Sequence, residues 1–234
     1  MLISRAYVTV VLAMSADGKI ADRNRTAARF SSKQDLAHLE RLVAQADAVL
    51  FGAATLRAYG TCLSVRQPDL LIQRKAAGQT VQPIQIVCSW SGKLSPTLRF
   101  FQQSVPRWLL TSIRGADYWA SMVPDSGSQF EAIWSDLTNP MDWQKLLHRF
   151  HQQGIHRLAV LGGGMLVAGL AEQNLIDELY ITVCPLLLGG QTAPTPFDGQ
   201  GLPVSQARSL QLIQVCQQQN EVVLHYRRCH PEED

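Results

Sequence analysis

The chain has no surplus of charge. Its 234 residues carry 21 Lys and Arg against 19 Asp and Glu, a formal net charge of +2, and the cations are scattered along the sequence. That excludes the basic stripe of a nucleic-acid binder and the polybasic patch of a protein held to anionic membranes. No run approaches the roughly 18 uncharged apolar residues that span a bilayer. The N-terminal stretch reads as a strand with no cleavage site behind it, so the expectation is a cytoplasmic protein. Cysteine is scarce and odd in number: Cys62, Cys88, Cys184, Cys216 and Cys229 are widely spaced without a C-x-x-C pair. A disulfide framework and a zinc site are therefore both disfavoured. Cys88 and Cys184 read as small core residues in strands. His148 and His151 lie three apart on one helix, but no third ligand accompanies them, so they read as surface residues and no metal is expected.

What is present is enough apolar material for a core, 46% of the residues, in an alternation of strand and helix patterns. Residues 7–14 form an apolar, β-branched run that breaks at Asp17-Gly18. Ser32 reads as a helix N-cap with Asp35 three residues on, followed by an apolar face of Leu36, Leu39, Leu42 and Val43 up to about Gln45. "AVLFG" is a second buried strand and "AATLRAY" begins another helical turn. "PIQIVCS", "PRWLLTS" and "QFEAIW" continue as strands, with a short helical stretch near residues 118–122. The helix "MDWQKLLHRFHQQ" buries Leu146, Leu147 and Phe150, then "HRLAVL" runs into Gly162-Gly163-Gly164 and a helix over about 165–173. "ELYITVC" follows. The tail "LQLIQVCQQQNEVVLHYRR" reads as an antiparallel hairpin. The pattern predicts one α/β domain, a mostly parallel mixed sheet with an antiparallel edge.

The triple glycine at a strand's C-terminal end, opening a helix, is where α/β sheets bind phosphates through backbone N–H groups. It is neither of two familiar loops. Val167 stands where G-x-G-x-x-G requires its last glycine, and Leu170 stands where a P-loop requires lysine. Two further stretches lie at strand ends: residues 12–32, where the strand leads into a Gly turn carrying Asp17 and Lys19 and then a polar loop of about a dozen residues, and "FGAATLRAYGTCLSVR", with Gly52, Thr55 and Arg66.

Taken in order, "LAMSADGKIA", "AQADAVLFGAATL", "LSVR" and "LGGGMLVAGLAEQNLIDELYITVCPLLLGG" resemble the reductase domain of the riboflavin-biosynthesis deaminase-reductase family, without its deaminase part. The resemblance implies a dihydrofolate-reductase-like, three-layer αβα fold over residues 1–234 as a single, stand-alone domain, and a homodimer. It implies NADPH-dependent reduction of the ribosyl group of 5-amino-6-(5-phosphoribosylamino)uracil, a small phosphorylated pyrimidine, with hydride delivered to the sugar carbon bearing the amino substituent after ring opening to an imine. Carried over residue by residue, Ala13, Gly52, Thr55, Gly162, Gly163, Gly164, Met165 and Leu166 would line NADPH. Ser31, Leu63 and Arg66 would lie by the substrate, and Asp17 and Lys19 would polarise or protonate it. Trp90 is a candidate for the adenine and Arg114 for the 2′-phosphate. Four places depart from the family pattern: Leu161 replaces a Glu, Ala27 and Arg29 replace S-x-W, Val43 replaces an Arg, and Tyr59-Gly60 replace an acidic pair. A same-fold reductase of another pteridine, pyrimidine or carbonyl, and a non-catalytic nucleotide binder, are the other readings compatible with these departures.

Overall fold

The computed structural model describes residues 4–123, 129–135 and 137–229; the ends of the expected 1–234 domain span lie outside them. The described residues form nine strands and six α-helices, a mixed α/β fold. They fall into two compact units. One is built from Glu40–Ala159 with residues 4–6, the other from Tyr7–Leu39 with residues 160–229.

In the first unit β2 (Ala48–Gly52), β3 (Ile84–Ser89), β4 (Arg107–Thr111) and β5 (Ala132–Trp134) are parallel neighbours in the order β5-β4-β3-β2, with β6 (Arg157–Val160) beside β2. Val49, Leu50, Val87 and Leu109 are wholly buried, the mark of strands covered on both faces. The helices are α2 (Ala53–Tyr59), α3 (Pro68–Ala76), α4 (Ile113–Met122) and α5 (Trp143–Gln152). The side chain of Asp142 caps α5 by accepting the Lys145 N–H, and Trp143, Leu146, Leu147 and Phe150 form its buried stripe. An aromatic cluster of Phe100, Phe101, Trp119 and Phe130, with centroids 5.1–6.4 Å apart, fills the space by α4.

Helix α3 is not among the helices expected from the apolar pattern, although Pro68 at its start and Arg74 and Lys75 in its last turn are ordinary helix signals. Arg74 is 1% exposed. Its guanidinium donates to the Ala44, Ala46 and Thr80 carbonyls, tying α3 to the end of α1 (Lys33–Gln45).

In the second unit β1 (Tyr7–Ser15) runs parallel to β7 (Glu178–Cys184). β9 (Glu221–Arg228) pairs antiparallel with β7 on one side and with β8 (Leu210–Gln218) on the other. The antiparallel hairpin is therefore as expected, with β8 at the edge. α1 (Lys33–Gln45) begins in this unit and ends in the other. Ser32 caps it, its Oγ accepting the Asp35 N–H. Asp35 does not reach back to complete a capping box: it is buried and accepts the Thr182 hydroxyl, and Glu221 takes the Ser32 N–H and O–H instead. Leu36, expected on the apolar face, is 50% exposed, because Asp35 occupies the inward position. α6 (Gly164–Glu172) is apolar almost all round, and Leu166, Val167, Ala168 and Leu170 are buried, as such a helix requires. Among the described residues no helix is long and apolar enough to cross a membrane.

Candidate active site

In the second unit, α6 starts directly after the strand that ends at Val160. Gly162 has φ +101°, a backbone region that side-chain-bearing residues rarely adopt. Gly163 is the N-cap and makes no side-chain cap. Gly164 has a different reason to be glycine. A Cβ there would lie 2.3 Å from the Thr195 carbonyl oxygen and 2.7 Å from an Asp198 carboxylate oxygen, so its bareness serves packing. The helix end still offers its first amides and the positive end of its dipole to an anion. Met165 is 68% exposed there. Leu166 is packed in the core and its N–H donates to the Gly163 carbonyl, so its contribution to this site is structural.

Ala13 is half-buried on β1, paired with Thr182. The turn beyond it carries Asp17, Gly18 and Lys19. Asp17 accepts hydrogen bonds from the Ser15 hydroxyl (2.6 Å) and from the Leu188 (3.1 Å) and Gly189 (2.6 Å) N–H groups. The Ser15 bond, then those backbone donors, lower its pKa to about 2. A carboxyl held that low carries no proton at neutral pH, so these surroundings favour a structural anion over the expected proton donor. Lys19 is half-buried, with Nζ 3.4 Å from the Ala193 carbonyl, and remains the cation of this turn. Ser31 is half-buried immediately before the α1 cap.

The first unit holds Gly52, Thr55, Leu63 and Arg66. Gly52 is the N-cap of α2 with φ −78°, a value open to any residue. Thr55 is half-buried in the first turn. Residues 61–67 have no regular structure, yet they are held like a strand. Gln103 closes a pair of bonds on the Cys62 backbone, Gln82 does the same at Val65, and Glu40 accepts the Arg66 and Gln67 N–H groups. Leu63 is half-buried and the Arg66 side chain is exposed. At the end of β3, Trp90 is 54% exposed and Lys93 is exposed three residues on, and Arg114 is exposed after the end of β4. The Trp90 carbonyl accepts the Ser112 hydroxyl at 2.8 Å, joining the two loops.

The profile of the RibD C-terminal domain family matches residues 6–224. The chain belongs to the RibD C-terminal domain family. It is similar to the 2,5-diamino-6-ribosylamino-4(3H)-pyrimidinone 5′-phosphate reductase of Archaeoglobus fulgidus, 31% identical over 196 residues that span 84% of this chain and 88% of that protein. The protein of the same name from Methanothermobacter thermautotrophicus is 28% identical over 198 residues, 85% and 86% of the two chains. Among solved structures, a pyrimidine reductase-like protein from Corynebacterium diphtheriae superposes with a TM-score of 0.80 at 17% identity, covering 97% of this chain and 94% of that one. RibD of Acinetobacter baumannii gives 0.77 at 21% identity, covering 97% and 58%. The fold is thus that of the RibD reductases.

Against the family pattern, two of the four departures have physical reasons. Val43 is wholly buried, a place that suits an apolar side chain. Gly60 has φ +70° and closes α2 by donating its N–H to the Leu56 carbonyl, which suits glycine better than a carboxylate residue. Leu161 and Tyr59 are half-buried and Arg29 is exposed. The residues sequence reasoning missed at this site are Asp198 and Glu221. Glu221 acts on Ser32, far along the chain, and Asp198 binds Thr195 three residues before it while its own N–H reaches the distant Gly164 carbonyl. His148 and His151 bind the Ser4 carbonyl and hydroxyl respectively.

Proposed function

We propose that the chain is one functional reductase domain that uses NADPH to convert the ribosyl group of a 5′-phosphorylated 5-amino-6-ribosylaminopyrimidine to ribityl. The substrate is 5-amino-6-(5-phosphoribosylamino)uracil or its 2-amino counterpart, for which the archaeal relatives are named. The observation that carries this reading is the family match over residues 6–224, joined to a glycine-led, uncapped helix end at the close of a buried strand.

The residues present fit a phosphorylated dinucleotide. The bare Gly162-Gly163 turn leaves room for close backbone approach, and the first amides of α6 suit a pyrophosphate. Within the first unit taken by itself, the exposed Trp90 ring suits a flat base and the exposed Arg114 suits an anion. A bound nicotinamide supplies the hydride. The chain's own contribution is alignment, exclusion of water and a charged group at the reacting end. Lys19 Nζ is the group that polarises the substrate or hands it a proton. Arg66, displayed on its fastened segment, is the cation for the substrate's phosphate or carbonyl edge.

Steady-state oxidation of NADPH with each of the two pyrimidines tests the reading. Turnover of either one supports it and names the substrate, while NADPH binding with turnover of neither sends the search to other pyrimidines, pteridines and carbonyls.

The protein also works as a homodimer in this reading. Leu210, Leu212, Ile213 and Val215 on the edge strand β8 are 38–56% exposed, and an apolar edge of this kind calls for a partner strand. Replacing Leu212 and Val215 together by Glu is expected to give a monomer by sedimentation.

A further inference from the structure

The chain leaving β7 is fastened at both of its ends, and the two fastenings lie at the two functional turns of the second unit. Near its start, the Leu186 carbonyl accepts the Ala16 N–H at 2.9 Å, and the Leu188 and Gly189 N–H groups donate to Asp17. The Pro194 carbonyl then accepts the Ile20 N–H at 2.9 Å, and the Ala193 carbonyl faces Lys19 Nζ. Near its close, Asp198 gathers the Thr195 N–H and hydroxyl at 3.0 and 2.8 Å and donates its own N–H to the Gly164 carbonyl. The Thr195 carbonyl and the Asp198 carboxylate occupy the space a Gly164 side chain would need.

Residues 186–198 therefore form a strap, gripped by the Lys19 turn at one end and seated against the first residue of α6 at the other. Two of its glycines, Gly189 and Gly190, have φ +63° and +85°, which fixes a sharp bend right after the Asp17 bonds. Three donors converge on the Asp17 carboxylate from separate directions. A neutral amide in its place turns an N–H against one of those donors, so the grip depends on the negative charge.

We propose that Asp17 is a positioning residue that, through the 186–198 strap, sets the first turn of α6 in the geometry that receives the cofactor phosphates. It touches neither substrate nor cofactor in this role, and it links the turn that carries Lys19 to the helix end 147 positions later in sequence. Only the identity of the ligand rests on the reading given under Proposed function; the mechanical link does not.

The test is amide hydrogen exchange on the ligand-free protein, comparing wild type with Asp17→Asn. The expected result is exchange about tenfold faster or more both at residues 186–190 and at residues 164–168, with the hairpin at 210–228 unchanged. Gly164→Ala, which pushes on the strap from the other end, is expected to quicken exchange at 186–190 in turn. Faster exchange confined to 186–190 in Asp17→Asn, or a uniform rise in every segment, overturns the proposal.

Fluorescence titration with NADPH supplies the second readout. Asp17→Asn is expected to weaken binding about tenfold while kcat at saturating NADPH stays within about threefold of wild type; a loss confined to kcat overturns the positioning role. If wild type fails to bind NADPH, the cofactor assignment falls and the exchange result still decides whether the strap couples the two turns.

Discussion

At the ends of β3 and β4 the first unit closes by glycine backbone contact and a serine hydroxyl, whereas at the ends of β1 and β7 the second unit closes through carboxylates. Gly92 and Gly115 touch so closely that a Cβ on Gly92 would stand 2.1 Å from the Gly115 carbonyl oxygen. In the other unit Asp17, Asp35, Asp198 and Glu221 each spend their oxygens on internal donors. The difference sorts the polar residues by use. The first unit's contacts there use glycine backbone, a serine hydroxyl and the Arg57 guanidinium rather than an acid, and Trp90, Lys93 and Arg114 stay exposed. The second unit's closure engages its acids, and the Lys19 side chain stays half-buried beside the Ala193 carbonyl.

The sharpest way to break this contrast is Gly92→Ala. The residue is buried with φ +62° and has no space for a methyl group. A loss of about 3 kcal/mol or more, roughly a 10 °C fall in Tm by calorimetry, is expected from strain plus overpacking. A Tm unchanged within a degree or two means the loops are not locked by contact. Next, Lys19→Met is expected to lower kcat/KM by about 100-fold, on the scale of a lost proton-transfer group, with the exchange protection of the strap retained. Equal loss in Lys19→Met and Asp17→Asn, confined to kcat, would return Asp17 to the chemistry. Arg114→Ala is expected to cost about tenfold in NADPH affinity and little in NADH affinity, measured by paired titrations; equal effects on both would move the 2′-phosphate contact elsewhere.

The smallest effect is with pH. Asp17 in the folded chain holds its proton more weakly than the ordinary 3.8 of a free aspartate, down to about 2. Its contribution to the strap is therefore complete above about pH 4 and is lost as the pH falls toward 2. Exchange at 186–190 measured down that range should rise in wild type and stay flat in Asp17→Asn, where it is already fast.

Much of the fold was legible because it is local. The β-branched run of β1, the Ser32 cap, the stripe of α5 and the alternating tail all announce themselves within a dozen residues. Helix α3 was overlooked because only Leu70 and Arg74 are buried in it, so it shows almost no apolar period. The position of Leu36 was misread because an acid, Asp35, takes the inward place, satisfied by a threonine 147 residues away. The glycine-led start of α6 and the turn after β1 were legible in the sequence, and the hydrogen-bond partners of the acids were not. Asp17 in a "DGK" turn looks like a catalytic group until its three donors are seen, and two of those come from a loop more than 170 residues later. The third glycine before α6 has the same lesson: Gly164 is bare to admit Thr195 and Asp198, which no local pattern reveals.

The central claim is hydride transfer to the sugar of a phosphorylated aminopyrimidine. The most direct measurement is a single turnover with NADPH carrying deuterium at the transferable position, followed by mass spectrometry of the product. The account predicts one deuterium on the ribityl carbon that bears the amino substituent. NADPH consumed with no label on that carbon, or no product from either pyrimidine, would contradict it.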